Sequence, residues 1–208
     1  MLLGYKETSF LLNKYGIKTG KQFNCTSLKQ VLSNSKKLKP PWVLKIIAEG
    51  LLHKTEKKLI ETDLHDESSL KKTFDRLNKN SKNMKNKSFL LQEQLHGVEV
   101  IIGAKRDNKF GNIVLFGSGG IFAELFKDTS LRLLPITRNN ATEMIDSTKA
   151  SVFFNKGFRG RKASKTAVID LLLKTSKLME KEKITEIDFN PVIVTKNQAF
   201  VVDAKVLK

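Results

Sequence analysis

Between Phe89 and Pro135 the chain alternates apolar runs with short polar breaks. Phe89 to Gln94, Val98 to Lys105, Ile113 to Phe116 and Ile121 to Phe126 each have strand character. The breaks carry turn chemistry: His96-Gly97, Asp107 to Gly111, and Gly117-Ser118-Gly119-Gly120. A parallel crossover needs roughly a dozen residues, so breaks this short predict an antiparallel sheet in mid-chain. One wall of it would carry Glu93, Glu99, Lys105 and Arg106 beside the glycine-rich turn. Charged groups and bare backbone N–H groups brought to one place suit a nucleotide site better than a plain scaffold.

The flanking pattern is mixed. Residues 8–15 read as a helix capped by Thr8 or Ser9 and stopped by Gly16, and residues 26–35 as a second helix capped by Thr26. Pro40-Pro41 forces extension, and Trp42 to Ile47 reads as a buried strand with one inserted cation. A buried lysine without a partner is costly, so Lys45 should face a cleft and an anion; the alternative is a strand edge with the ammonium in water. The loop after it holds His53, which can serve as a neutral nucleophile near neutral pH, although a lone loop histidine is more often polar surface. Leu59 to Asp63 reads as a strand, and Asp66 caps a helix carrying Leu70, Phe74 and Leu77. Asn78 to Lys87 is rich in Lys and Asn and reads as a linker, which places a lobe boundary there. Later come a helix over 140–149, a basic turn Gly157-Phe158-Arg159-Gly160-Arg161, and a longer helix over 164–180 capped by Ser164. The two arginines could clamp a phosphate oxygen through planar forks, or form an ordinary basic turn.

Ile184 to Val194 and Ala199 to Val206 read as a closing hairpin around Lys196-Asn197. Glu186, Asp188 and Asn190 alternate, so they share one face, and a two-residue turn sets Asn190 opposite Asp203. An amide and carboxylates converging there suit Mg²⁺, with Asn190, Asp203 and Asp188 as candidate ligands; a solvated polar hairpin face is the alternative. Pro191 interrupts the ladder beside Asn190, which a site explains better than plain pairing does.

Composition narrows the classes. The 208 residues carry 38 Lys and Arg against 21 Asp and Glu, a net charge of +17 that favours an anionic partner. The phenylalanines sit in apolar runs rather than among lysines, which disfavours nucleic acid as that partner. A single cysteine, Cys25, excludes an internal disulfide and points to a cytoplasmic setting. No apolar run is long enough to cross a bilayer, so no membrane role is expected. The balance predicts a globular α+β chain, as one domain or two lobes sharing a cleft.

Several stretches, in order, carry a resemblance. They are Val43-Leu44-Lys45, Leu52-His53-Lys54-Thr55, Gly97 to Gly103, Arg106 to Gly111, Phe116 to Ile121 running on through Glu124 to Lys127-Asp128, Gly157 to Gly160, Glu186 to Pro191, and Val202-Asp203-Ala204. Together they resemble the beta subunit of ADP-forming acyl-CoA synthetases of the acetate–CoA ligase type, ATP-grasp proteins related to the succinyl-CoA synthetase beta subunit. The resemblance spans nearly the whole chain. It implies an α+β ATP-grasp fold in which two lobes, 1–87 with the Lys45 strand and His53 loop and 88–208 with the central sheet and hairpin, enclose a nucleotide cleft with antiparallel sheets. It implies ATP or ADP with Mg²⁺, Lys45 and the turn glycines Gly117, Gly119 and Gly120 at phosphates, Glu93 and Glu99 as nucleotide contacts with Glu93 and its neighbours near the adenosine, and Asn190 and Asp203 at Mg²⁺. His53 would be the phosphohistidine carrier, with Arg159 a lesser candidate as a clamp. The reaction would be acyl-CoA + ADP + phosphate ⇌ acid + CoA + ATP, with a separate CoA-binding alpha subunit. Glu56-Lys57-Lys58 departs from the Asp and glycine pair usual after His-Lys-Thr in the family. Two other readings compete: an ATP-grasp carboxylate ligase without phosphohistidine, and a basic nucleic-acid-binding module.

Overall fold

The structure is a computed structural model that describes residues 1–48, 59–120 and 128–208. The chain opens with α1 (Tyr5–Lys14), β1 (Gln22–Cys25), α2 (Leu28–Ser35), β2 (Trp42–Ile47), β3 (Ile60–Leu64), α3 (Glu67–Asn80) and β4 (Ser88–Glu93). There follow β5 (Val98–Asp107), β6 (Gly111–Ser118), β7 (Thr129–Leu133), α4 (Arg138–Asp146), α5 (Ser151–Asn155) and α6 (Lys165–Lys181). The last strands are β8 (Glu186–Val194), β9 (Ala199–Val201) and β10 (Ala204–Leu207).

These elements form two compact units, Gly20–Leu95 and Met1–Thr19 with His96–Lys208. The smaller unit is a four-stranded antiparallel sheet in the order β1-β4-β2-β3. Its core joins Trp42, Leu44, Ile46, Phe89 and Leu91 to Val31 of α2 and Leu70, Phe74 and Leu77 of α3. The spacing of those three α3 residues makes a one-sided apolar stripe. Asp66 starts that helix, its carboxylate accepting the Ser69 N–H at 2.7 Å. That bond, first among several, holds its carboxyl below the usual range.

The larger unit carries the sheet β10-β8-β5-β6-β7, with β9 also on β8 and every pairing antiparallel. Val98, Val100, Ile102 and Ala104 of β5 alternate into the core, and Val168, Leu171, Leu172, Leu178 and Met179 of α6 fill it.

Two expectations change here. The run Phe89 to Gln94 does not join the mid-chain sheet: β4 pairs with β1 and β2, so Glu93 and Glu99 lie on different sheets. The break at His96-Gly97 has hairpin chemistry, but the chain leaves one unit there and enters the other. The expected boundary between 1–87 and 88–208 differs from the observed divisions for the same reason. The Lys/Asn-rich stretch stays within the smaller unit, where Lys87 Nζ reaches Asn78 Oδ1 at 2.8 Å and Ser81 is fully buried. The expected strand Ile121 to Phe126 lies outside the described residues.

Candidate functional site

In the smaller unit Lys45 sits on β2, an interior strand, so the edge-strand alternative does not apply. Its side chain is 2% exposed. Trp42, Leu44 and Ile46 point into the core under the helices, so strand parity sends Val43 and Lys45 to the opposite sheet face. Glu93 ends β4, and its carboxylate accepts the Lys39 backbone N–H at 3.0 Å. His53 and the divergent Glu56-Lys57-Lys58 lie outside the described residues.

In the larger unit the glycine-rich turn is shaped by close approach. A Cβ on Gly119 would lie 2.6 Å from the Glu99 backbone carbon, and one on Gly117 would lie 2.8 Å from Thr129 Cγ2. The third, Gly120, has φ +71°, in the left-handed region where glycine is favoured. The N–H groups of this turn are partly committed: Ser118 donates to the Asp128 carbonyl at 3.1 Å and Gly119 to the Glu99 carbonyl at 2.9 Å. The glycines thus let the backbone pack on β5, and the expectation of a wholly bare N–H cradle is narrowed. Asp128, which no residue-level argument singled out, anchors the turn. Its carboxylate accepts from the Ser118 hydroxyl and from the Lys149 N–H at 2.9 and 3.0 Å.

The terminal strands keep the expected register. Val192 pairs with Val201 and Phe189 with Ala204, and between them the Asn190 N–H donates to the Asp203 carbonyl at 3.1 Å. Against β5 the ladder shifts between Val100 and Ile102, so Asn190 and Pro191 together face Ile101. Such a bulge re-aims a side chain, and Asn190 is exposed while its neighbour Phe189 is core. Asp188 is held differently: directly opposite Lys205, its carboxylate lies 3.3 Å from the ammonium.

The donors fit Mg²⁺ of one kind. Among the described residues no group of three or more His, Cys, Asp or Glu is placed to hold a metal ion. Mg²⁺ commonly binds through one or two carboxylates plus substrate phosphates, and the amide of Asn190 with the carboxylate of Asp203 matches that pattern rather than an all-protein cage.

Arg159 lies on a tight turn closed by hydrogen bonds of 2.8 and 2.9 Å between Phe158 and Arg161. Arg159 and Gly160 have φ +48° and +75°, and the guanidinium carbon stands 5.3 Å from the centroid of the Phe158 ring. That stacking fixes the side chain without using its donors.

The smaller unit carries a buried lysine on an antiparallel sheet, and the larger unit carries a glycine-shaped turn and an Asn–Asp strand pair on another. The model of the ATP-grasp domain matches residues 1–207, and the chain belongs to the ATP-grasp family. Over 208 residues it is 38% identical to the acetate–CoA ligase (ADP-forming) II of Archaeoglobus fulgidus, covering 100% of this chain and 30% of that protein. The chain thus spans less than a third of that relative. It is 33% identical to the acetate–CoA ligase (ADP-forming) II subunit beta of Pyrococcus furiosus, over 97% of this chain and 89% of the subunit. A solved dinucleotide-forming acetyl-coenzyme A synthetase 1 of Ca. Korarchaeum cryptofilum, in complex with coenzyme A and Ca-AMPCP, matches with a TM-score of 0.91 and 33% identity, covering 99% of this chain and 93% of that one. Another structure of that synthetase, with Mg-AMPPCP and its phosphohistidine segment pointing towards the nucleotide-binding site, matches with a TM-score of 0.81 and 32% identity, over 99% and 91% of the two chains. Among the described residues of this chain no helix is long and apolar enough to cross a membrane.

Proposed function

We propose that this chain is the nucleotide-binding beta component of an ADP-forming acyl-CoA synthetase, an acid–thiol ligase working with a CoA-binding alpha subunit. The overall reaction is acyl-CoA + ADP + phosphate ⇌ acid + CoA + ATP. The observation that carries this reading is the likeness, nearly end to end, to a relative that is itself a beta subunit. A cytoplasmic setting belongs to the proposal and fits the one cysteine, Cys25, which is buried and free.

Phosphoryl transfer asks the protein mainly for positioning and charge neutralisation. His53 accepts the phosphoryl group from the partner and presents it to ADP. A terminal β-phosphate oxygen of ADP attacks phosphorus, the P–N bond breaks, and the imidazole returns neutral. Lys45 holds nucleotide phosphates from its buried strand position. Asn190 and Asp203 hold Mg²⁺, which neutralises phosphate charge when bound. Asp188 already has Lys205 as its partner, which makes it the weakest of the three metal candidates. Glu93 and Glu99 serve the nucleotide, the glycine-rich turn and Arg159 the phosphate.

The test is phospholabelling from [γ-³²P]ATP. The wild type should take up an acid-labile, base-stable label, and folded His53→Asn should take up none. A His53→Asn protein that labels fully removes the carrier role; a wild type that never labels while making acyl phosphate supports a ligase without phosphohistidine.

A further inference from the structure

Ser118 and Asp128 close the neck of the glycine-rich segment that leaves the sheet at Gly119. They continue the β6–β7 ladder one step beyond the Gly117–Thr129 pair, with the Ser118 N–H on the Asp128 carbonyl at 3.1 Å. The side chains add a second link, because the Ser118 hydroxyl donates to Asp128 Oδ2. The Asp128 carboxylate also reaches out of the ladder. The Lys149 backbone N–H meets Oδ1 at 3.0 Å and Oδ2 at 2.9 Å. Lys149 lies in the corner between α4 and α5, flanked by Thr148 and Ala150, both buried. Phe154 of α5 fixes that corner to β6, its ring edge-on to Phe116 with centroids 6.2 Å apart. Apolar packing thus sets the corner, and one carboxylate staples the neck to it.

A carboxylate is the group that such a junction needs. It accepts from hydroxyl and amide at once, has no hydrogen to set against either donor, and strengthens both bonds through its charge. That negative charge cannot itself hold phosphate, so its part in the site runs through Ser118 and the turn. Beyond the neck, Gly119 gives its N–H to the Glu99 carbonyl at 2.9 Å, and Gly120 enters the left-handed region at φ +71°. With the neck and the first glycine after it both pinned, the direction in which the segment leaves is fixed before a ligand arrives. Donors held in advance need no ordering when the ligand binds. We propose that Asp128 is a positioning residue for the glycine-rich turn, holding Ser118 against the α4–α5 corner so that the turn meets the terminal phosphate of ADP in one geometry. This inference rests on the reading of Gly117, Gly119 and Gly120 as phosphate contacts.

The experiment is competition calorimetry of the full chain with Mg-ADP and AMP, with folding checked by circular dichroism. It takes the wild type, Asp128→Ala, Asp128→Asn, Ser118→Ala and the double variant Ser118→Ala/Asp128→Ala. AMP shares the nucleoside and lacks the terminal phosphate. Asp128→Ala should lower the preference for ADP over AMP on the order of tenfold, as a misplacement of about 1 Å does. Asp128→Asn keeps one carbonyl acceptor and should recover part of the loss. Ser118→Ala should lower the preference less, and the double variant no further than Asp128→Ala, because both act through one link. A general loss of fold would weaken both nucleotides alike and leave the preference, so the preference is the readout specific to positioning. An unchanged preference in folded Asp128→Ala, or fully additive losses in the double variant, overturns the proposal while leaving nucleotide binding in place. Where Asp128→Ala fails to fold, an unchanged preference in Ser118→Ala overturns it. A wild type that binds ADP no better than AMP overturns the phosphate reading of the turn and this proposal together, and one that binds neither overturns the functional reading as well.

Discussion

A methyl group added at Gly119 would stand 2.6 Å from the Glu99 backbone carbon and 2.8 Å from its oxygen, and neither can move without shifting β5. The same addition at Gly103 meets nothing nearer than the Ile187 carbonyl at 3.4 Å. Gly119→Ala should therefore cost about 1–3 kcal/mol in denaturant unfolding, as overpacking does, and Gly103→Ala clearly less. A cost at Gly119 no larger than at Gly103 would show that the turn is not held by close approach. Sequence parity at this scale was good for direction and poor for partners. It put Asp188 and Asn190 on the open face, where both are found outside the core. It did not foresee that Lys205 would claim Asp188, because an ion pair depends on two side chains reaching across the strands.

Helix ends show which local signals are strong. The helix over 164–180 was legible because Ser164 precedes a clear apolar stripe, and the observed α6 (Lys165–Lys181) has Ser164 accepting the Ala167 N–H at 3.2 Å. Ser164→Ala should lower stability by about 1 kcal/mol, read as a shift of the unfolding midpoint; no shift would mean that cap is idle. The first helix starts earlier than its Thr8 and Ser9 signals suggest. It begins at Tyr5, and the carboxylate of Glu7 turns back to accept the Gly4 N–H at 2.9 Å, so neither Thr8 nor Ser9 caps it. In α2 the cap is Ser27 rather than Thr26. Two hydroxyl residues side by side compete for one role, and packing chooses between them. The hairpin register was legible because Lys196-Asn197 fixes the loop length and pairing then follows residue by residue.

Across the larger unit the chain's beginning and end are tied together. Leu2 bridges Leu207, and Glu182 accepts from Lys14 at 2.7 Å and from the Tyr15 hydroxyl at 3.0 Å. The hydrogen bond from Lys14, more than the one from Tyr15, holds the Glu182 carboxyl below the usual carboxylate range. A depressed acid stabilises the fold above its ordinary pKa, near about 4.3, and that contribution disappears as pH falls through the lower folded value. Thermal unfolding followed from pH 7 down to pH 2 should thus show an acid-side loss that Glu182→Gln reduces. An identical pH profile for the variant would remove this tie from the acid response. The pair is partly solvent-exposed, so the effect should be small and weaken with salt.

The helices capped by Asp66 and Ser164, the open and core faces of β8, the terminal register and the buried character of the Lys45 strand were set by local chemistry: side-chain parity, turn residues and caps act over a few residues and leave their marks in the sequence. The short β1 and β7 carry no such mark and are not expected from it. Tertiary structure alone decided which sheet each strand joined and which polar groups became buried. A short polar break looks the same whether the chain turns back on its own sheet or crosses into another unit, so β4 could be assigned only by its partners β1 and β2. The burial of Gln92 follows from that assignment, because its amide partner, Gln22 of β1, lies 70 residues earlier in the chain.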